Sequence, residues 1–230
     1  MLTRIIDAIY PPTCVLCGQQ GRPHRDLCDG CVGDFIVNQT ACGRCALPLP
    51  FDLQAAICGE CLHSPPLQHR AWSAFIYAQP LEWMIQQLKF NSKMAFARLL
   101  GESAIPFLPA LDATPDCIIP VPLHPKRYRQ RGYNQAFELL KPLARCLDIS
   151  TDISSCQRQK YTSAQSNLDA KQRRKNIRKA FKFDNSRQYE YVIVFDDVIT
   201  TGSTMAELVK EIKQQGVKRV DVWSLARVGK

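Results

Sequence analysis

The chain has 230 residues, of which 46% are hydrophobic, and a formal net charge of +9. This length suits one large domain, or a small domain beside a medium one. No leader of charged and then apolar residues precedes the first cysteine, and no apolar stretch approaches the length of a membrane span. We therefore expect a cytoplasmic chain with neither a disulfide framework nor an integral membrane segment.

The charge is divided unevenly along the chain. Residues 1–67 hold four Arg/Lys against six Asp/Glu, a net charge of −2, whereas residues 68–230 hold twenty-six against fifteen, a net charge of +11. Eight thiolates on two Zn²⁺ ions would lower the charge of the first part by about four more. The positive field therefore belongs to residues 68–230, which are the part suited to nucleic acid.

Four CxxC pairs dominate the first seventy residues. The paired cysteines are Cys14/Cys17, Cys28/Cys31, Cys42/Cys45 and Cys58/Cys61. Each CxxC turn presents two sulfurs to one tetrahedral ion, so two turns complete a Cys₄ site. We expect two structural zinc ribbons in series, while a cross-braced pairing of the first CxxC with the third is an open alternative. Redox use is disfavoured because no βαβ pattern surrounds any pair.

The proline pair in Ser64-Pro65-Pro66-Leu67 marks a predicted boundary between a double zinc-ribbon module, residues 1–67, and a second domain, residues 68–230. Strands are predicted at 71–77, 117–119, 180–183, 191–195 and 220–225. Helices are predicted at 81–100 with an interruption near Asn91-Ser92, at 134–147 with Pro142 kinking or splitting the helix, and at 205–215. Strands alternating with helices predict an α/β fold, a mostly parallel sheet flanked by helices, preceded by a small Cys-rich zinc-binding module.

Residues 120–135 read PVPLHPKRYRQRGYNQ and place four basic residues within six positions, flanked by proline turns. Such a segment suits an anion-binding loop. A solvated basic loop explains the same composition, so the segment alone leaves both interpretations open.

Residues 192–204 read VIVFDDVITTGST. The apolar run predicts a strand that is buried on both faces and stops at Asp196-Asp197, before a small-residue loop that opens a helix. Carboxylates and backbone N–H groups then meet at the carboxyl edge of the sheet, where open α/β folds bind ligands. An Asp that only caps the helix is the plainer interpretation, but one carboxylate would satisfy it.

This run resembles the signature with which type I phosphoribosyltransferases bind phosphoribosyl pyrophosphate (PRPP). Together with the CxxC pairs, the PVPLHPKR and RGYNQ strings, Leu88-Lys89-Phe90 and the string SAQSNL at residues 163–168, it makes the whole chain similar to the ComF family. That family couples cysteine knuckles to a phosphoribosyltransferase-like domain and includes competence and GntX-type proteins. The resemblance implies a type I phosphoribosyltransferase-like fold for residues 68–230.

The resemblance also implies roles for individual residues. Asp196 and Asp197 would contact ribose hydroxyls of PRPP, directly or through Mg²⁺. The PRPP-binding set is completed by the phosphate loop Thr200, Thr201, Gly202, Ser203 and Thr204, and by Val121 and Pro122 facing the pyrophosphate. Candidates for contact with pyrophosphate or DNA are Lys126, Arg127, Arg131, Arg158, Lys160, Arg173 and Arg174. A covering loop is expected at residues 158–170.

The acceptor and the catalytic residues are not identified by the sequence. Salvage enzymes for 6-oxopurines carry an acid where this chain has Thr200, so proton transfer to such a base would lack its carboxylate and this activity is disfavoured.

Residues 158–182 hold nine Lys/Arg and a single acid, Asp169. This composition suits sequence-independent binding of a phosphate backbone, although a solvated helix face explains it equally well. The family resemblance implies a competence protein that handles incoming single-stranded DNA during transformation, at the inner face of the inner membrane, beside a helicase or another competence-machinery protein. The alternative is an active phosphoribosyltransferase with an unidentified acceptor.

Overall fold

The computed structural model describes residues 10–50, 56–161 and 177–229. Its strands are β1 (Ala71–Ile76), β2 (Cys117–Pro120), β3 (Cys156–Arg158), β4 (Phe181–Phe183), β5 (Tyr191–Ile199) and β6 (Arg219–Arg227). Four of them form a parallel sheet in the order β1-β6-β5-β2, and β3 pairs with β4 in a separate antiparallel pair. The predicted α/β fold with a parallel sheet is confirmed.

The first two helices precede β1, and the others lie between later strands. The helices are α1 (Asp29–Gly33), α2 (Gly59–His63), α3 (Leu81–Phe90), α4 (Ala95–Ala104), α5 (Pro125–Arg131), α6 (Gln135–Leu147) and α7 (Ser203–Gln214). Within the described part of the chain, none of these helices is long and apolar enough to cross a membrane.

Strand β5 lies in the middle of the sheet and is buried on both faces, as its apolar run predicts. Ile193 and Phe195 pack into one hydrophobic core with α3, α4 and α6. Val192 and Val194 pack into a second core on the opposite face, with α7 and the β3–β4 pair. The alternation arises because successive side chains of a strand point to opposite faces.

The expected end of β5 at the two aspartates is wrong. The strand continues to Ile199 because β6 continues beside it, with Ile199 opposite Arg227. Strand β2, on the other side, already ends at Pro120, opposite Phe195. The carboxylates therefore lie on the part of β5 that extends past the end of its neighbour, and this offset leaves space beside them.

The helical pattern of residues 81–100 divides as predicted, since α3 ends at Phe90 and α4 begins at Ala95. A split at Pro142 does not occur, because this residue lies inside the continuous helix α6. A proline in a helix interior costs about 3 kcal/mol. Burial of Leu139, Leu140 and Leu143 outweighs that cost at about 1.5–3 kcal/mol for each side chain.

The cysteine-rich module packs against the outer edge of β1. The segment that joins the two halves of the module forms backbone hydrogen bonds with β1. The N–H of Asn38 donates to the carbonyl of Ala74 at 3.0 Å, and the N–H of Ile76 donates to the carbonyl of Ile36 at 2.8 Å. Phe35, from the first half, lies in the same core as β1. The boundary between residues 67 and 68 therefore divides segments that share backbone hydrogen bonds and a core, and it stays a prediction.

Candidate functional site

A cavity of about 550 Å³ opens at the carboxyl edge of the sheet, in the space past the end of β2. It brings together residues from distant parts of the chain. The lining residues predicted from the sequence are Val121, Arg127, Arg131, Arg158, Asp196, Asp197 and Thr204, and those not predicted include Lys89, Ser92, Gln130, Gln135 and Tyr161. Carboxylates, guanidinium groups and hydroxyls thus surround one volume, a combination that suits a phosphorylated sugar.

The rest of the predicted phosphate loop faces elsewhere. Thr201, Gly202 and Ser203 line a second cavity of about 490 Å³, which Cys45 and Cys61 also line. Thr200 is exposed. Pro122 lines a third cavity, of about 850 Å³, on the other side of α5. Only Thr204, in the first turn of α7, reaches the cavity that holds the aspartates.

Two of the remaining cationic candidates lie outside this lining. The Lys126 ammonium is 5.8 Å from the centre of the Tyr161 ring, at the mouth of the cavity. Lys160 donates to the carbonyl of Arg178 at 2.6 Å. Arg173, Arg174 and residues 162–170 of the expected covering loop lie outside the described residues.

The two aspartates occupy different environments. The Asp197 side chain is buried and forms an ion pair with Lys89, whose Nζ lies 2.9 Å from Oδ2. Its Oδ1 accepts from the N–H of Val198 at 2.7 Å, while Asp196 Oδ1 accepts from the N–H of Asp197 at 2.9 Å. Lys89 comes from the last turn of α3, more than a hundred residues earlier in the chain.

These contacts shift the pKa values of Asp196 and Lys89. Burial, followed by the adjacent Asp197 carboxylate, raises the pKa of Asp196 to about 7. Burial alone would lower the pKa of Lys89, but the charge and hydrogen bond of Asp197 outweigh it and raise that pKa. The site therefore holds the Asp197–Lys89 ion pair beside a carboxyl group whose pKa is close to neutral pH.

The segment after α5 positions the walls of the cavity. Gly132 ends the helix with a φ of +85°, a backbone angle that favours glycine. The hydroxyl of Tyr133 donates to the carbonyl of Leu88, next to Lys89. Asn134 Nδ2 donates to the carbonyl of Val121 at 3.0 Å, while its Oδ1 caps α6 by accepting from Ala136. The RGYN string thus has a scaffolding role, and Asn134, predicted as the first residue of the helix, is its N-cap.

Aromatic and basic side chains surround the mouth of the cavity. Tyr161 is 46% exposed, and its ring lies against His124 at 5.2 Å between centroids. The Arg127 guanidinium carbon is 6.0 Å from the centre of the same ring. Tyr128, on α5, is half exposed, and Phe90 is 71% exposed. Basic and aromatic side chains thus share this surface.

The eight paired cysteines form two groups, and the structure decides their pairing. Cys14, Cys17, Cys28 and Cys31 make the first cluster, and Cys42, Cys45, Cys58 and Cys61 make the second; within each, the sulfurs lie within 4.8 Å of one another. The serial arrangement is therefore correct, and the cross-braced alternative is not.

The donor sets of both clusters suit zinc. Burial raises the pKa of Cys42, but backbone N–H donors outweigh it, among them the Cys58 N–H at 3.3 Å from the sulfur, and the pKa falls to about 7. Burial and neighbouring sulfurs raise the pKa of Cys61. Four crowded sulfurs cannot all ionise without a cation among them, and four thiolates are the ligands of a structural zinc ion.

Comparison with known proteins adds three relatives and one domain. The Double zinc ribbon domain matches residues 5–62. DNA utilization protein YhgH of Escherichia coli (strain K12) is 34% identical over 225 residues, which cover 94% of this chain and 97% of that protein. YhgH of Salmonella typhimurium is 34% identical over 226 residues, with the same coverage. Competence protein F of Haemophilus influenzae is 37% identical over 231 residues, covering 93% and 96%.

Proposed function

Because the chain belongs to the ComF family, together with proteins named for DNA utilization and competence, we propose that it handles single-stranded DNA and that its cavity binds PRPP with Mg²⁺. One observation carries the proposal about the cavity. A single volume joins the adjacent carboxylates of Asp196 and Asp197 to three guanidinium groups, those of Arg127, Arg131 and Arg158.

The two kinds of side chain match the two ends of PRPP. Guanidinium groups bind phosphate oxygens through paired hydrogen bonds, so the three arginines suit the pyrophosphate. Carboxylates accept hydrogen bonds from ribose hydroxyls. Burial lowers the pKa of Arg131 and of Arg158, because it disfavours their positive charge. A polyanion that enters the cavity would stabilise that charge.

The carboxyl groups also fit a magnesium ion, which prefers oxygen ligands and keeps several waters. Asp197 is already paired with Lys89. Asp196 is the residue that would hold the ion, and loss of its proton would accompany binding because its pKa is about 7. When bound, the ion would shield the charge of the pyrophosphate, while Lys89 keeps Asp197 in place.

Calorimetry with PRPP and Mg²⁺ tests this pocket. We expect the double variant Asp196→Asn/Asp197→Asn to bind at least tenfold more weakly than the unaltered chain. Glu190→Gln is the control, because that exposed acid pairs with Lys218 away from the cavity. Equal affinity in the double variant, with its circular dichroism spectrum unchanged, would remove PRPP from the proposal.

The surface around the cavity mouth supports the proposal about DNA. Helix α5 carries Lys126, Arg127, Arg129 and Arg131 beside the half-exposed Tyr128. The third cavity, on the far side of this helix, is lined partly by Tyr128, Phe137 and Ile153. Cations that follow a backbone and aromatic rings on which bases stack are the usual elements of sequence-independent single-strand binding.

Salt titration of oligonucleotide binding tests this surface. Each phosphate contact with a single strand contributes about 0.7 to the slope of log affinity against log salt. We expect Lys126→Gln/Arg129→Gln to flatten the slope by about 1.4, and Tyr128→Ala to weaken binding without changing it. Lys218→Gln, at the opposite, amino edge of the sheet, is the control. A slope that stays the same in the α5 variant would exclude this helix as the DNA surface.

An active phosphoribosyltransferase is the second candidate, favoured by the three arginines of the cavity, whose charge suits a leaving pyrophosphate. Release of pyrophosphate from PRPP in the presence of DNA or nucleobases, and its loss in the double aspartate variant, would support turnover. A transformation assay tests whether DNA uptake depends on the cavity. DNA uptake that is unchanged in the double variant would contradict every function that needs PRPP.

A further inference from the structure

The guanidinium group of Arg227 lies between the phosphate loop and the second cysteine cluster. Arg227 is the last residue of β6 and is only 7% exposed. Its Nη1 donates to the carbonyl of Ile199 at 3.1 Å and to the carbonyl of Thr200, where the phosphate loop begins. Its Nε donates to the carbonyl of Cys45 at 3.1 Å. One rigid, planar group therefore contacts both the loop and a knuckle of the cluster.

The same knuckle is fixed to the α/β domain by two further hydrogen bonds. The carbonyls of Gly43, Arg44 and Cys45 accept from Ala71 N at 2.8 Å, from Gln68 Nε2 at 2.7 Å and from Arg227 Nε at 3.1 Å. Three consecutive carbonyls of a metal-binding turn are thus bonded to the linker, to β1 and to β6. The position of this turn depends on the cluster, because Cys42 and Cys45 supply two of its four sulfurs.

We propose that Arg227 couples metal binding at the second cysteine cluster to the geometry of the phosphate loop, and that it is a positioning residue for the phosphorylated ligand. This inference rests on the proposed function of the cavity. Loss of the metal releases the Cys42–Cys45 turn, the Cys45 carbonyl moves, and the buried guanidinium reorients away from the Ile199 and Thr200 carbonyls. The start of the loop then loses the hydrogen bonds that fix it before Gly202 and α7.

The coupling is specific to the second cluster. The first cluster is also joined to the α/β domain by an arginine, since Arg25 Nη2 donates to the carbonyl of Leu99 at 3.4 Å and to the hydroxyl of Ser103. Those acceptors belong to α4, on the face of the sheet that lies away from the phosphate loop. Arg25 and Arg227 are therefore matched residues, and only one of them contacts the loop.

Because coupling between two binding sites is reciprocal, it predicts an effect in each direction. A metal in the second cluster raises the affinity for PRPP, and bound PRPP raises the affinity for that metal by the same factor, so we expect the metal to leave more slowly as well. The zinc-loaded protein and a chromogenic chelator are sufficient to measure the second effect. We expect saturating PRPP with Mg²⁺ to slow the release of one zinc equivalent at least tenfold and to leave the other unchanged.

The matched variants are Arg227→Lys and Arg25→Lys, each of which keeps the positive charge and loses the planar group. In Arg227→Lys, we expect an affinity for PRPP at least tenfold lower and zinc release that no longer responds to ligand. In Arg25→Lys, we expect both properties to remain as in the unaltered chain. Equal PRPP affinity in the two variants, or slowed zinc release in Arg227→Lys, would overturn the coupling.

A measurement without ligand separates this inference from the proposed function. Amide hydrogen exchange in a peptide covering residues 198–206 should accelerate when the second cluster alone loses its zinc, as in Cys61→Ser, while a peptide covering residues 81–90 should not change. Unchanged exchange at 198–206 would overturn the coupling, even if Arg227→Lys failed to fold. If the unaltered chain does not bind PRPP but the exchange rate still responds to zinc, the proposed ligand is wrong and the coupling stands.

Discussion

The two cysteine clusters have the same ligand set but are attached to the α/β domain in different ways. Beside the first cluster, Leu27 and Phe35 are buried in the large core that includes β1, α3 and α4. The second cluster forms a small core of its own with Leu47, and three knuckle carbonyls bond it to Gln68, to the first residue of β1 and to the last residue of β6. Apolar burial is non-directional, whereas hydrogen bonds fix positions. The first attachment therefore stabilises the fold, and the second positions a loop.

The largest expected effect is on the first attachment. Phe35 packs edge-on against Phe75, with 5.5 Å between ring centroids. Replacing Phe35 by Ala removes a buried ring from the shared core, and we expect the free energy of unfolding to fall by about 3–5 kcal/mol. Urea denaturation followed by tryptophan fluorescence measures the change, since Trp72 and Trp223 lie on neighbouring strands β1 and β6.

Leu47→Ala is the matched change at the second cluster. Its side chain contributes to the small core around Cys42, Cys58 and Cys61. We expect faster zinc loss in this variant, with the tryptophan transition close to that of the unaltered chain. If Leu47→Ala shifted the transition as much as Phe35→Ala, the two attachments would not differ and the comparison would fail.

A smaller effect is expected at Asp196, a proposed ligand-binding residue whose buried carboxyl group lowers the stability of the fold. The ordinary pKa of an aspartate is 3.8, but that of Asp196 is about 7, because burial and Asp197 disfavour its charge. The folded chain thus holds this proton more tightly than the unfolded chain does. We expect Asp196→Asn to raise the free energy of unfolding by about 1–3 kcal/mol at pH 8.

The pH dependence identifies the cause of that gain. Below about pH 4 the carboxyl group is protonated in both states, so the substitution removes no charge. The advantage of the Asn variant should grow between about pH 4 and pH 7 and stay constant above pH 7. Asp197→Asn is the contrasting variant, because it leaves the Lys89 ammonium buried without its carboxylate and should destabilise the fold. A gain from Asp196→Asn that is the same at pH 4 and pH 8 would contradict this account.

Local patterns were sufficient to predict much of the molecule. The spacing of the CxxC pairs predicted which residues form the two four-cysteine clusters, and the four apolar residues before Asp196 predicted a strand that is buried on both faces. These predictions succeed because each depends on residues close together in the chain. The serial pairing of the clusters was expected, and the structure was needed to exclude the cross-braced alternative, since the spacing fits both.

Long-range pairs account for what the sequence could not provide. Lys89 meets Asp197, and Arg227 meets Cys45, across more than a hundred residues in each case. The end of β5 was also mispredicted, because it depends on how far β6 continues beside it rather than on the aspartates. The phosphate loop is divided between two cavities for the same kind of reason: neighbouring elements, and not the loop's composition, decide which side each residue faces.

The smallest expected effect distinguishes loop geometry from general stability. Gly202 precedes α7 with a φ of +75°, and Gly216 follows the same helix with a φ of +89°. A Cβ at either position would meet no heavy atom within 4 Å. Replacement by Ala therefore changes only the backbone preference, which costs about 1–2 kcal/mol at each site.

Because the two substitutions cost the same stability, any difference between them in ligand binding reports the geometry of the phosphate loop. Gly202→Ala changes the loop next to Thr201 and Ser203, and we expect PRPP binding, measured by calorimetry, to weaken several-fold. Gly216→Ala lies at the other end of α7 and should bind PRPP as the unaltered chain does. Equal weakening in both variants would show that binding follows overall stability, and the positioning role of the second cluster would then lose its support.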